Sequence, residues 1–163
     1  MGQLILQVAG RAGRESKPGT VLIQTRNPDN PMLQTLVSDG YDAFAAVALD
    51  ERRIAGWPPY SVVALVRAEA IDVQHPLDFL DTVADFITAD LDTREANGEV
   101  ELLGPAPAPM ERLAGRYRAR LLLQSDTRAR LHETLARLAS VIDELDGVRR
   151  VRWSIDVDPV DLF

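Results

Sequence analysis

Apolar positions change their spacing several times along the chain, and they break near Gly56-Trp57-Pro58-Pro59. Paired prolines stop a helix and force extended backbone before them. Beyond the break, Ser61 to Glu69 is a β-branched apolar run, the pattern of a buried strand. His75 to Arg94 has helical spacing, with Leu80, Val83, Ala84, Ile87 and Leu91 on one face and Asp78, Asp81, Asp85 and Asp92 opposite. Val100 to Leu103 reads as a strand, closed by the loop Gly104-Pro105-Ala106-Pro107-Ala108-Pro109. Arg116 to Gln124 is a strand with alternating polar residues at its start. Thr127 to Leu145 is a helix with Leu131, Leu135, Leu138, Ile142 and Leu145 on one face, and Arg149 to Val157 is the last strand. The order β-α-β-β-α-β predicts an α+β domain over residues 57–163, with two helices on one face of a mostly antiparallel sheet.

Upstream the pattern is thinner. Gly2 to Ala12 starts apolar and becomes rich in Gly and Arg. Thr20 to Thr25 (TVLIQT) reads as a buried strand after the turn at Pro18-Gly19. A loop over 26–31 precedes helices at Met32 to Ser38 and Tyr41 to Ala55, ended by Gly40 and Gly56. One strand with three short helical pieces does not make an independent core. Residues 1–56 therefore read as the tail of something larger.

Composition narrows the function classes. The 163 residues are 46% hydrophobic and 26% charged, as in ordinary globular proteins. The apolar run Ala43 to Leu49 is far short of the about 20 residues that span a membrane. No basic segment precedes an apolar run at the N-terminus, so no secretory signal is expected. Without cysteine there are no disulfides, thiolate zinc sites or cysteine nucleophiles. His75 and His132 are too distant in sequence to suggest a metal site, and none is expected; His75, before Pro76, reads as a surface residue at a helix start. The net charge of −7 is uneven: residues 69–101 carry ten acids and one Arg, whereas 111–130 carry six Arg and two acids. The basic stretch keeps nucleic acid open as a partner. All cations but Lys17 are Arg, the residue suited to bidentate phosphate or carboxylate contacts.

Four groups of residues could carry chemistry. Gln7-Val8-Ala9-Gly10-Arg11-Ala12-Gly13-Arg14 places two arginines three apart, each after a glycine that lets backbone approach a phosphate. Arg11 and Arg14 could stabilise a transferred phosphoryl group, or simply form a basic turn at a helix end. Arg112, Gly115, Arg116, Tyr117, Arg118 and Arg120 form the second group. Arg116, Arg118 and Arg120 share one strand face and Tyr117 the other, which suits a single-stranded DNA surface or a solvated face paired with local acids. Arg128 and His132 lie four apart at a helix start, where a carboxylate would be favoured beside Leu131 and Leu135; the alternative is an ordinary helix start. Asp156 and Asp158 could hold Mg²⁺ or act as acid and base, or be solvated. Trp57-Pro58-Pro59-Tyr60 reads as a rigid linker, with Trp57 packed between the two parts, rather than an aromatic recognition element.

The string QVAGRAGR resembles motif VI of the superfamily 2 helicases. With PGTVLIQT, NPDNPMLQTLVSDGYDAF, ERRIAGWPPYSVVALVRAE, GPAPAPMERLAGRYRARLLLQ and RRVRWSIDVDPVDLF following in order, the chain from Gln7 onward resembles the end of the PriA family of replication restart helicases, the primosomal protein N′ family. The resemblance implies an ATP-dependent 3′-to-5′ DNA helicase of the bacterial cytoplasm that binds forked and single-stranded DNA and starts primosome assembly. It implies that Gln7, Gly10, Arg11, Gly13 and Arg14 belong to an ATP and Mg²⁺ site, with Arg11 and Arg14 catalytic. It implies a C-terminal domain like ribosomal protein S10 that contacts DNA. It also implies a partner, the single-stranded-DNA-binding protein, whose acidic tail with its apolar end would suit Arg128 and His132.

The chain departs from that pattern. It has no GxxxxGKS/T phosphate loop, since Lys17 is followed by Pro18, and no acidic DExx strand. The family's cysteine-rich zinc subdomain has no ligands here. The chain is expected to be the end of the second RecA-like lobe (1–56) plus the C-terminal domain (57–163), inactive alone as an ATPase. The competing reading is a non-enzymatic adaptor for nucleic acid or protein; a hydrolase built on Asp156 and Asp158 is a distant third.

Overall fold

The computed structural model describes residues 2–9, 11, 20–92 and 100–160. The chain divides into two compact units, Met1–Gly56 and Trp57–Phe163.

The first unit has three helices: α1 (Gly2–Ala9), α2 (Pro31–Ser38) and α3 (Gly40–Ile54). α2 starts where a sequence should start one. Pro31 supplies a preset φ at the first turn, and the Asn30 side chain accepts a hydrogen bond from the Leu33 N–H at 3.1 Å. Tyr41 and Phe44 are in ring contact at 6.1 Å. Leu36 is the buried hydrophobic residue of this unit among those described, and α3 buries no side chain. The strand expected at Thr20 to Thr25 is not formed: these residues belong to no helix or strand, and Leu22 is 91% exposed. A strand is held by its neighbour, and the described residues of this unit offer none.

The second unit is an α+β fold: β1 (Val62–Ala70), α4 (His75–Asp92), β2 (Val100–Leu113), β3 (Arg116–Ser125), α5 (Arg128–Val141) and β4 (Arg152–Val157), with short 3₁₀ turns at Ile142–Glu144 and Val148–Arg150. The sheet order is β2-β3-β1-β4, and every neighbouring pair is antiparallel. This is the split βαβ arrangement. Alternation along the strands decides the layers. Ala64, Val66 and Ala68 of β1 and Ala119, Leu121 and Leu123 of β3 point to one face. There they meet Phe79, Leu80, Val83 and Ile87 of α4 and Leu131, Leu135 and Leu138 of α5. Asp78, Asp81 and Asp85 lie on the exposed side of α4, so its acidic stripe is solvated. Arg137 of α5 donates to Asp90 of α4 at 3.1 Å and ties the helices together.

β2 departs from expectation. The strand does not end at Leu103 but runs to Leu113, through the proline-rich segment expected to be a loop. β2 is an edge strand, paired on one side only, and Pro105, Pro107 and Pro109 stand two apart, so their missing donors need not interrupt the ladder. The register shifts between Leu103 and Ala106 and again between Pro107 and Arg112, so four residues, Ala108 to Glu111, oppose Arg118 alone. Gly104 has φ +113, and a Cβ there would lie 3.0 Å from the Arg120 carbonyl oxygen, so the first irregularity requires glycine.

Candidate nucleic-acid interface

The face of the sheet away from the helices has two ends. At one end Val63, Leu65 and Leu122 form a small apolar cluster against Trp57. Trp57 thus packs onto the sheet of its own unit. At the other end the outward positions are charged: Arg67 and Glu69 on β1, Arg116, Arg118 and Arg120 on β3, and Arg152 on β4. The bulged Ala108-Pro109-Met110 segment of β2 forms a wall beside them. The result is a groove of about 780 Å³, lined by Arg67, Arg118, Arg120 and Arg152, with Glu69 as its acid and Leu65 and Met110 as its large apolar side chains, while Trp153 of β4 packs against the core on the other face.

Register creates this charge pattern. Arg67 stands directly opposite Arg120, and Glu69 stands opposite Arg118 on one side and Arg152 on the other. Like charges facing each other across a ladder are unfavourable to the sheet. Asp156 offsets one of them by accepting a hydrogen bond from Arg67 at 2.8 Å. Glu69 is held more loosely, 3.8 Å from Arg116 and 3.9 Å from Arg152. Arg118 has no ion-pair partner among the described residues. The face is therefore net positive, on a protein whose net charge is −7.

The structure brings Arg116, Arg118 and Arg120 onto one face and turns Tyr117 to the other. Tyr117 instead packs under the Arg112 guanidinium, 5.2 Å from the ring centroid. Arg67, Glu69, Arg152 and Met110 were not legible as members of the site, although the charges at 67 and 69 break the apolar run of β1 at alternate positions.

The other candidates are placed separately. Arg128 and His132 are both exposed on α5, and Arg128 is paired with Asp158 at 2.9 Å. Leu131 and Leu135 do not supply apolar surface beside them; both are buried in the core. Asp156 and Asp158 are engaged by different cations, Arg67 and Arg128. Among the described residues no group of three or more histidines and acids could hold a metal ion. Gln7 is exposed on α1 and Arg11 is exposed just after it, while Gly10, Gly13 and Arg14 lie outside the described residues. Among the described residues no helix is long and apolar enough to cross a membrane.

Comparison with known proteins follows the same lines. The chain is similar to the "Replication restart protein PriA" of Haemophilus influenzae, with 41% identity over 99% of this chain and 21% of the relative. It is 32% identical to that of Synechocystis over 98% of this chain and 18% of the relative, and 30% identical to that of Bacillus subtilis over 96% and 19%. The chain thus spans about one-fifth of the length of these relatives. The de novo designed protein Foldit4, a solved structure, aligns with 62% of this chain and 99% of its own at 12% identity and a TM-score of 0.39, so the fold rests on strand order and not on that likeness. Residues 53–160, which hold the whole sheet and its basic groove, match the family described as Primosomal protein N C-terminal domain, and the chain belongs to that family.

Proposed function

We propose that the chain is the C-terminal portion of a replication restart DNA helicase, and that its second unit binds single-stranded and forked DNA through the helix-free face of the sheet. The observation that carries this is the groove in which Arg67, Arg118, Arg120 and Arg152 converge on an otherwise acidic protein. Phosphate contacts dominate such binding and make it salt-dependent. Arg116 adds charge on the same face, and Tyr117, on the opposite face, braces the Arg112 guanidinium at the end of the hairpin. The relatives named for replication restart support this setting.

In this reading residues 1–56 end a second RecA-like lobe, and residues 57–163 form a domain like ribosomal protein S10. Gln7, Gly10, Arg11, Gly13 and Arg14 complete an ATP and Mg²⁺ site whose phosphate loop lies elsewhere in the parent helicase. Any zinc in that parent is likewise held elsewhere, as this chain has no cysteine. Arg128 and His132 accept the acidic tail of the single-stranded-DNA-binding protein, its carboxylate taking the place of Asp158 on Arg128. Other primosome proteins assemble on the same parent, in the bacterial cytoplasm.

The test is binding of the 163-residue chain to a fluorescent single-stranded oligonucleotide across a salt series, beside the triple variant Arg116→Ala, Arg118→Ala, Arg120→Ala. Binding that falls steeply with salt is expected, and the triple variant should bind at least about tenfold more weakly, with a shallower salt dependence. No binding by the wild-type chain at low salt would overturn the assignment and favour a protein-binding adaptor.

A further inference from the structure

The groove holds a carboxylate where a phosphate would go. Glu69 projects from β1, the strand between β3 and β4, so it is ringed by Arg116 and Arg118 on one side and Arg152 on the other. Its nearest approaches, 3.8 Å and 3.9 Å, are ion-pair distances beyond hydrogen-bonding range. Its side chain is 35% exposed, so solvent or a ligand can reach it. The neighbouring Arg67–Asp156 pair differs, with a hydrogen bond at 2.8 Å at the rim. A loosely held acid at the centre of an arginine cluster adds little to the fold. It does compete for the same cations with any anion that enters.

We propose that Glu69 is an internal competitor that sets the affinity of this face for the sugar–phosphate backbone of single-stranded nucleic acid. The proposal rests on the reading of the face as a nucleic-acid interface. The occupant is an extended polyanion rather than a lone phosphate, because the cations lie on three adjacent strands and cover a patch roughly 10 Å across. It is read through its backbone rather than its bases, because the outward positions of the charged end are Arg, Glu and Ser154, with no aromatic ring projecting from them as a stacking platform. When the strand binds, Arg116 and Arg152 turn from Glu69 to phosphates, and Glu69 is left facing the bound strand as a repulsive charge. The face therefore binds weakly enough to release a strand that has to move.

The test is Glu69→Gln in the 163-residue chain, titrated with fluorescein-labelled oligothymidine over a salt series, with melting curves confirming the fold. Glu69→Ala serves as a second variant. Both should bind roughly two- to fivefold more tightly than wild type at low salt, with steeper salt dependence. Adding Arg152→Ala should remove the gain. Unchanged or weaker binding by both folded variants, with wild-type binding still dependent on Arg118, would overturn the role of Glu69 and leave the interface standing. Absence of binding by wild type and variants alike would overturn the interface itself. Equal affinity for a polyglutamate peptide that displaces the oligonucleotide would overturn the choice of occupant.

Discussion

The two units contain similar apolar material and use it differently. In the second, Phe79, Leu80, Leu121, Leu123, Leu131 and Leu138 are all at most 1% exposed, because two helices and a sheet each bring one apolar face to a common layer. In the first, Leu4, Leu22, Val37, Val47, Leu49 and Ile54 are exposed, and α3 buries nothing. Both units have sound local signals: α2 has its asparagine cap and α4 an acid in its first turn. Local signals start elements, but only packed faces stabilise them, since most helical stability in proteins comes from tertiary burial. The difference between the units is a difference in burial. The described residues of the first leave most of their large apolar side chains exposed, as expected if the unit is the end of a larger lobe as proposed.

Native-state hydrogen exchange should show the largest contrast. Amides of β1, β3 and the middle of α5 are expected to open only with global unfolding, at about 5–10 kcal/mol, and those of α1 and α3 at about 1–3 kcal/mol. Uniform protection across both units would break the comparison.

Single truncations sharpen it. Phe79→Ala removes a fully buried ring from the helix–sheet layer and should cost about 3–5 kcal/mol in urea unfolding. Leu49→Ala, on α3 and 43% exposed, should change that transition by no more than about 0.5 kcal/mol. A comparable loss at Leu49 would mean that the first unit is packed more firmly than its exposure indicates.

How far each unit was legible in the sequence follows from the same contrast. The strand and helix order of residues 57–160 could be read because each element has two unlike faces, and the leucines spaced along α5 have one low-energy way to lie. The limits of β2 could not be read. Gly104 to Pro109 has loop composition, and only its position at an open edge lets it remain a strand. TVLIQT reads as a strand from composition, but a strand also needs a partner to pair with, and none of the described strands pairs with it. In the groove, Arg116, Arg118 and Arg120 were visible by their spacing on one strand. Arg67, Glu69 and Arg152 join them through registers that bring residues far apart in sequence together, and no local window contains that information.

The smallest expected gain in stability lies at the tip of the β2–β3 hairpin. Leu113 pairs with Arg116 and leaves a two-residue loop, Ala114-Gly115, with φ of +50 and +79. Positive φ at both central residues is the type I′ geometry that suits the right-handed twist of a hairpin, and Asn-Gly is its preferred sequence. Gly115 meets that need and Ala114 does not, because its Cβ is strained in the left-handed region. Ala114→Asn should therefore stabilise the second unit by about 0.5–1 kcal/mol. Its melting temperature should rise by roughly 2–5 °C, while exchange in α1 and α3 stays the same. Ala114 belongs to neither the groove lining nor the core, so a stabilised variant would widen the gap between the units through the backbone of one turn. A fall in melting temperature would show that the alanine is held there by contacts worth more than its strain.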